Sequence, residues 1–106
     1  MNVNDLQRYT DIVIIPSLKK RVTYYIDEFN RIINLYDSGL PLNTVKYRNI
    51  LTHILEIIKY MKTYVFMIDE CKKYMYTEFR KIAIHSEHAN KLLRRTVRFC
   101  LHSFDI

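Results

Sequence analysis

Apolar residues recur at intervals of three and four along most of the chain, and no segment alternates polar and apolar residues for more than a few positions. An interval of three or four keeps side chains on one face of an α-helix, whereas alternation would indicate a strand. The chain has one glycine and two prolines, so few points can interrupt its helices. We therefore predict an all-α fold, a compact bundle of four to five helices that forms a single domain over residues 1–106.

Capping residues and helix breakers place the first helices. A short helix is predicted over 5–13, with Asn4 as its N-cap and Pro16 marking its end. Pro16 suits the first turn of the next helix, where a missing N–H costs nothing. Apolar spacing then predicts a long second helix. The only clear loop follows it, because Gly39 suits a helix C-cap and Pro41 blocks continuation.

Beyond that loop the chain has no glycine or proline, so boundaries depend on caps alone. Asn43 can cap a third helix. A fourth helical region is predicted over 63–84, and the sequence leaves open whether it breaks near Asp69 or Thr77. Ser86 is the predicted N-cap of the last helix.

The last helix, 86–104, is predicted to be strongly amphipathic. Its apolar arc should close the core and comprises Ala89, Leu92, Leu93, Thr96, Val97, Cys100 and Phe104. Its opposite arc is cationic and comprises Lys91, Arg94, Arg95, Arg98 and His102.

Positive charge is concentrated in the last third of the chain. The net charge is +6, and residues 71–104 alone hold eight Lys and Arg against two Glu. These eight are the candidate residues for binding a partner or nucleic acid: Lys72, Lys73, Arg80, Lys81, Lys91, Arg94, Arg95 and Arg98. Three interpretations stay open for them: a solvated face, a site that neutralises phosphates, or a helix lying on a membrane surface.

The longest uninterrupted apolar runs are four residues, too short to cross a bilayer. Asp5, Arg8 and Asp11 interrupt the place where a signal peptide would be apolar. Cys71 and Cys100 form no CxxC motif and are expected to be free, buried thiols. We expect an intracellular protein, in the nucleus or cytoplasm.

His85 and His88 lie one turn apart, with Cys100 and His102 further along, and histidines and a thiolate are ligands that zinc accepts. The predicted helix start at Ser86 separates the first two, and the last two should face opposite ways. We predict no metal and no cofactor. The single glycine also argues against a nucleophile elbow or a phosphate-binding loop, so no enzymatic activity is expected.

Residues around the start of the last helix form a pattern: Ile82-Ala83-Ile84-His85-Ser86, followed by Ala89, Leu92, Val97 and Cys100. This pattern resembles the end of the N-terminal domain of the transcript-cleavage elongation factor TFIIS. The chain departs from that family in having no tryptophan, no glycine at Met75-Tyr76, and a spacing after the histidine that is one residue short. The resemblance implies a small right-handed helical bundle that captures short disordered motifs of transcription regulators.

Together these features predict a non-enzymatic interaction module for an acidic or amphipathic protein partner, in transcription or its regulation. The partner segment would lie in an apolar groove between the later helices. The alternative is a nucleic-acid-binding protein that uses the basic last helix. Self-association is also open, because apolar surface can remain unburied. Abundant Tyr and scarce Gly indicate AT-rich codons, as in a viral or parasite genome. A viral bundle of the apoptosis-regulator (Bcl-like) family would fit that composition, although its Asn-Trp-Gly-Arg signature is absent.

Overall fold

The structure, a computed structural model, describes residues 2–106, and within that range the chain is helical without any β-strand. Its helices are α1 (Val3–Tyr9), α2 (Ile15–Asp37), α3 (Thr44–Lys62), α4 (Ile68–Arg80) and α5 (Glu87–His102). The predicted all-α bundle is confirmed. α2 is its central helix and packs against α3, α4 and α5.

The core lies between these four helices. Phe29 of α2 meets Phe79 of α4 edge to face, with ring centroids 6.1 Å apart. Isoleucines of α2 and α3 and the methionines Met61 and Met75 fill the space around this pair. Burial of an apolar stripe on each helix stabilises the bundle and compensates for the weak helix propensity of Ile and Tyr.

The loop predicted at Gly39 is confirmed, and the backbone explains it. The N–H of Gly39 donates to the carbonyl oxygen of Tyr36, and the N–H of Leu40 donates to that of Leu35, both at 3.1 Å. This is the Schellman arrangement, which needs a left-handed residue, and Gly39 has φ = 104°.

The first helix differs from the prediction at both ends. It begins at Val3, two residues early, because Asn2 rather than Asn4 is the N-cap; the Asn2 Oδ1 accepts from the N–H of Asp5 at 2.9 Å. The helical path does not stop before Pro16, although Pro16 lies in the first turn of α2 as predicted. It continues through a π-helical turn, Thr10–Ile14, directly into α2.

The π turn has two physical reasons. Pro16 lacks an N–H and its ring would crowd the carbonyl one turn earlier, and a locally wider helix relieves that conflict. The turn also holds one residue more than a turn of α-helix, so that the N–H of Ile15 donates to the Thr10 carbonyl oxygen. Thr10 and Ile15 therefore lie on the same face although they are five residues apart. The stripe that begins at Val3 and Leu6 thereby stays in line with the buried stripe of α2.

The predicted helical region 63–84 is broken. α3 ends at Lys62, a short 3-10 turn follows at Val65–Met67, and α4 then ends at Arg80. Neither Asp69 nor Thr77 is a cap: Asp69 lies in the first turn of α4, and the Thr77 hydroxyl donates to the Lys73 carbonyl oxygen at 2.9 Å within it. A second loop, 81–86, was missed because it contains no glycine or proline.

The start of α5 is as predicted. The Ser86 Oγ accepts from the N–H of Ala89 at 3.3 Å, which makes Ser86 the N-cap. Asp37, at the end of α2, accepts from the backbone N–H of Ser86 at 2.7 Å and of His85 at 3.2 Å. The second loop is thus fixed to the central helix, which sets the position of α5 against α4.

Candidate partner-binding groove

A groove of about 450 Å³ runs between the outer faces of α4 and α5. Its floor is apolar and consists of Phe79, Ile82, Leu93, Val97 and Leu101. Its edges carry Tyr76, Arg80, Arg94 and Arg98. No acidic side chain lines it among the residues that the structure describes.

The spacing of α5 creates one side of this groove. Ala89, Thr96 and Cys100 are buried against the bundle. Leu93, Val97 and Leu101 follow one another at intervals of four and form a second, half-buried stripe beside the first. An interval of four keeps these side chains in one row along the helix. The residues that directly follow Leu93 and Val97 in sequence lie at the edge of the groove.

On both helices, arginines directly follow residues of the groove floor. Arg94 and Arg98 follow Leu93 and Val97, and Arg80 follows the buried Phe79 on α4. All three arginines are exposed. An apolar floor with guanidinium groups along its edges therefore results from two ordinary helical repeats.

The arginines are weakly engaged within the chain. The Arg80 guanidinium carbon lies 5.6 Å from the Tyr76 ring centroid, and Arg94 Nη2 lies 3.4 Å from Glu87 Oε1 in an exposed pair. Exposed pairs of this kind contribute about 0–1 kcal/mol. Within residues 2–106 no ion pair involves Arg80 or Arg98. Their charge is available to a ligand.

Arg95 and Lys91 lie outside this groove. Arg95 lines a second groove of about 280 Å³ between α3 and α5, together with Tyr47, Leu51, Leu92 and Phe99. Lys91 is exposed on α5 at a position between the two grooves. The cationic arc of α5 is thus a ridge with one groove on each side.

Of the three remaining candidates, two form ion pairs within the chain and one lies outside the α4–α5 groove. Lys72 Nζ lies 3.1 Å from Asp105 Oδ1 near the end of the chain. Lys81 pairs with Glu78 of α4. Lys73 is exposed on α4, and it does not line the α4–α5 groove. Of the eight predicted residues, the structure brings together Arg80, Arg94 and Arg98.

Glu78 connects α4 to the central helix. The Thr23 hydroxyl donates to its Oε1 at 3.1 Å, and the Tyr74 hydroxyl lies 2.5 Å from the Thr23 oxygen. Burial opposes the charged form, but the hydrogen bonds from Lys81 and Thr23 outweigh it and lower the pKa of Glu78. Glu78 therefore ties α4 to α2 through Thr23.

The sequence predicted an apolar groove between the later helices but did not identify the residues of its floor. Leu93 and Val97 were assigned to the core, yet they are only half buried and face the gap between α4 and α5. Leu101 was assigned no role. The sequence did contain one signal. Leu93, Val97 and Leu101 form a second apolar row beside that of Ala89, Thr96 and Cys100, so the apolar face of α5 is wider than the face it buries in the core.

Two of the four candidate metal ligands, His88 and Cys100, take part in the packing of the bundle. The His88 Nε2 lies 2.9 Å from the Tyr36 carbonyl oxygen, so this nitrogen carries the proton and donates. Cys100 is fully buried, and burial raises the pKa of its thiol to about 12, which disfavours the thiolate that a metal requires. In the described part of the chain no three His, Cys, Asp or Glu residues cluster in a way that could hold a metal ion.

Fold and groove together define a class: an all-α bundle with an arginine-edged apolar groove between its last two helices. No helix within residues 2–106 combines the length and apolar character needed to span a membrane. The chain matches no protein-family model, no curated protein and no solved structure. The similarity to the TFIIS N-terminal domain stays a prediction.

Proposed function

We propose that this chain is a non-enzymatic interaction module and that its α4–α5 groove binds an acidic, amphipathic segment of a protein partner as a helix. The observation that carries the proposal is the pairing of an apolar floor with three arginines and no lining acid. An amphipathic helix presents apolar side chains at intervals of three and four, which suit a floor built from rows of the same interval. Carboxylates on its flanks would meet guanidinium groups, which bind them bidentately.

The cellular setting is proposed on the sequence pattern at 82–86 and the start of α5. Its resemblance to the TFIIS N-terminal domain supports a role in transcription or its regulation, in the nucleus or cytoplasm. The codon bias supports a viral or parasite source. The partner is then an acidic-hydrophobic regulatory segment that folds on binding.

The test uses a fluorescent peptide of about 18 residues with Leu at helical spacing and Glu on both flanks, titrated with the full chain and read by anisotropy. The triple substitution Arg80→Glu, Arg94→Glu and Arg98→Glu is expected to weaken binding at least roughly tenfold, because it replaces three attractive charges by repulsive ones. A peptide with Lys in place of Glu should not bind the wild type.

A matched control has the same change in net charge on exposed residues outside the groove: Lys20→Glu, Arg21→Glu and Arg48→Glu. This control is expected to retain most of the affinity. Equal losses in both triple variants would show that net charge alone attracts the peptide and would refute the groove. Circular dichroism checks that both variants keep the helical fold.

Nucleic-acid binding is the second candidate, and one observation favours it. Lys91, Arg94, Arg95 and Arg98 are all exposed along a single ridge of α5, a spacing that could follow a phosphate backbone. Lys91→Glu with Arg95→Glu separates the two functions, since both residues lie outside the α4–α5 groove. Loss of affinity for a duplex DNA, with a steep log-linear salt dependence and unchanged peptide binding, would favour nucleic acid.

A further inference from the structure

A second groove, of about 280 Å³, lies between α3 and α5 on the other side of the basic ridge. On α3 it is lined by Tyr47 and Leu51, and on α5 by Leu92, Arg95 and Phe99. Among the residues that the structure describes, no acidic side chain lines this α3–α5 groove. The groove therefore combines two aromatic rings with a guanidinium group and no opposing charge.

Phe99 presents its aromatic ring to solvent at this groove. The side chain is 53% exposed, and α5 completes its buried row without it. Arg95 precedes it by four residues and His102 follows it by three, so both are its neighbours on the helix surface, and both are exposed. An isolated exposed apolar residue is ordinary, whereas an exposed aromatic ring beside a guanidinium group in a groove is typical of a site for nucleic-acid bases.

The α3 wall of the groove is fixed by its contacts. The Tyr47 hydroxyl oxygen lies 2.6 Å from the Thr96 Oγ1, and this contact joins α3 to α5. The Tyr47 ring also packs against the buried Phe29, with ring centroids 5.9 Å apart. The wall is thus held in place before any ligand binds, which reduces the entropy cost of binding.

Cations border the groove on both helices. Residues 88–104 contain no Asp or Glu and hold Lys91, Arg94, Arg95 and Arg98. On α3, Arg48 directly follows Tyr47 and precedes Leu51 by three residues, so it lies next to both on the helix surface. Arg48 is exposed, and within the described range neither it nor Arg95 forms an ion pair. Both guanidinium groups are available to the phosphates of a ligand.

The order of residues along α5 selects the kind of ligand. Arg95 lies between Leu92 and Phe99 in the lining of this groove, whereas α5 presents an unbroken apolar row to the α4–α5 groove. The apolar stripe of a bound peptide helix would cover the charge of Arg95, which is costly. A single strand of nucleic acid suits this order, because flat bases alternate with anionic phosphates and its bases are free to stack on an aromatic ring.

We infer that the α3–α5 groove binds single-stranded nucleic acid, with one base stacked on Phe99 and neighbouring phosphates bound by Arg95 and Arg48. This site gives the nucleic-acid candidate its ligand class and rests on that candidate. It is independent of peptide binding in the α4–α5 groove, which lies on the other side of the ridge.

Fluorescence anisotropy of a labelled oligothymidylate of about 15 nucleotides, titrated with the full chain, tests the site. Phe99→Ala is expected to weaken binding roughly tenfold or more, because the stacked base loses its platform. Phe66→Ala makes the same change at a residue that is 92% exposed and lies outside the groove, so it should bind like the wild type. Equal losses in both variants, or no loss in either, would overturn the assignment to Phe99. Circular dichroism checks that both variants keep the helical fold.

The chain has no tryptophan, which allows a direct test of stacking. Phe99→Trp introduces a single indole at the proposed platform, and its fluorescence should be quenched when the oligothymidylate binds. Phe66→Trp is the control and should keep its emission. A strand that binds without quenching the indole at position 99 would show a contact through phosphates alone and would overturn the stacking.

Salt dependence tests the phosphate contacts. Arg48→Gln with Arg95→Gln should make the slope of log affinity against log salt concentration shallower by about 1.4, since each phosphate contact of a single strand contributes about 0.7. Lys20→Gln with Arg21→Gln removes the same charge from exposed positions on α2 and should leave the slope unchanged. An equal change in both variants would attribute the slope to net charge and overturn the roles of Arg48 and Arg95.

Competition separates the possible ligands. A duplex of the same length should compete at least roughly tenfold less well than the single strand, because its bases are already stacked. Equal competition, with no effect of Phe99→Ala, would leave a backbone contact along the ridge; it would overturn the single-strand site and spare the nucleic-acid candidate. No binding of either nucleic acid at about 100 µM protein would overturn both. Binding of the Glu-flanked peptide that is lost in Phe99→Ala, without binding of the oligothymidylate, would replace the ligand by a peptide.

Discussion

Asp37, the last residue of α2, accepts a hydrogen bond of 2.7 Å from the backbone N–H of Ser86, the N-cap of α5. The two residues are 49 positions apart in the chain. The contact ties the end of the central helix to the beginning of the helix that carries the basic ridge.

Asp37→Ala is expected to lower the melting temperature at neutral pH, because the N–H groups of Ser86 and His85 lose their acceptor. Hydrogen bonds from these residues lower the pKa of Asp37 below the ordinary aspartate value of about 3.9. The charged carboxylate therefore contributes its full stability above that value, and the contribution is lost as the pH falls through the lowered pKa.

The measurement is thermal unfolding by circular dichroism between neutral and strongly acidic pH. The difference in melting temperature between wild type and Asp37→Ala should shrink as Asp37 is protonated. Asp37→Asn is the control, because it keeps an acceptor oxygen without the charge and should lie between the two at neutral pH. A difference that does not change with pH would contradict the role of the carboxylate.

A buried hydroxyl connects α3 to α5. Thr96 is 2% exposed, and its Oγ1 lies 2.6 Å from the Tyr47 hydroxyl oxygen. Thr96→Val and Tyr47→Phe should each reduce the free energy of unfolding by about 1 kcal/mol, and the double variant should lose less than the sum. Urea unfolding of all four proteins measures the coupling, and strict additivity would show that the two hydroxyls do not interact.

Phe29 is the aromatic centre of the core. It is 1% exposed and contacts both Phe79 and Tyr47 through its ring. Phe29→Ala is expected to cost about 3–5 kcal/mol, since it removes a large buried side chain and leaves a cavity. Tyr24→Ala, on the exposed side of the same helix, should cost far less. Similar losses for both would mean that α2 buries a different face.

Both cysteines should be unreactive in the folded protein. Cys71 and Cys100 are fully buried, and burial raises the pKa of each thiol, that of Cys100 to about 12. Thiol reagents attack the thiolate, so labelling at mildly alkaline pH should be negligible until urea unfolds the chain. Rapid labelling of the native protein would show that α4 or α5 opens readily.

The sequence was sufficient for the all-α class and for the general character of α5, but not for every helix boundary. The spacing of apolar residues predicted an all-α bundle, and Gly39 and Ser86 marked two boundaries correctly because local backbone chemistry decides turns and caps. Pro16 was placed correctly in the first turn of α2, but the helical path before it does not end there. The chain passes instead through the π turn Thr10–Ile14 into α1, and neither of these segments contains a buried residue.

The candidate groove could be predicted only in part. Arg80, Arg94 and Arg98 were among the eight basic candidates, but their proximity depends on how α4 packs against α5, which no local pattern encodes. Lys72 could not be separated from them, because its partner Asp105 lies 33 positions away in sequence. Whether Leu93 is core or groove floor likewise depends on the distance between two helices.

The π turn before α2 sets the rotation of α1 about the helix axis relative to α2. Each residue added to or removed from a helix rotates everything before it by about 100°. A deletion or insertion within 10–13 would therefore turn the face of α1 by about 100° about the helix axis, while Ile14 and the buried stripe of α2 keep their contacts with the core. The side chains that α1 exposes could thus change while the rest of the protein stays the same.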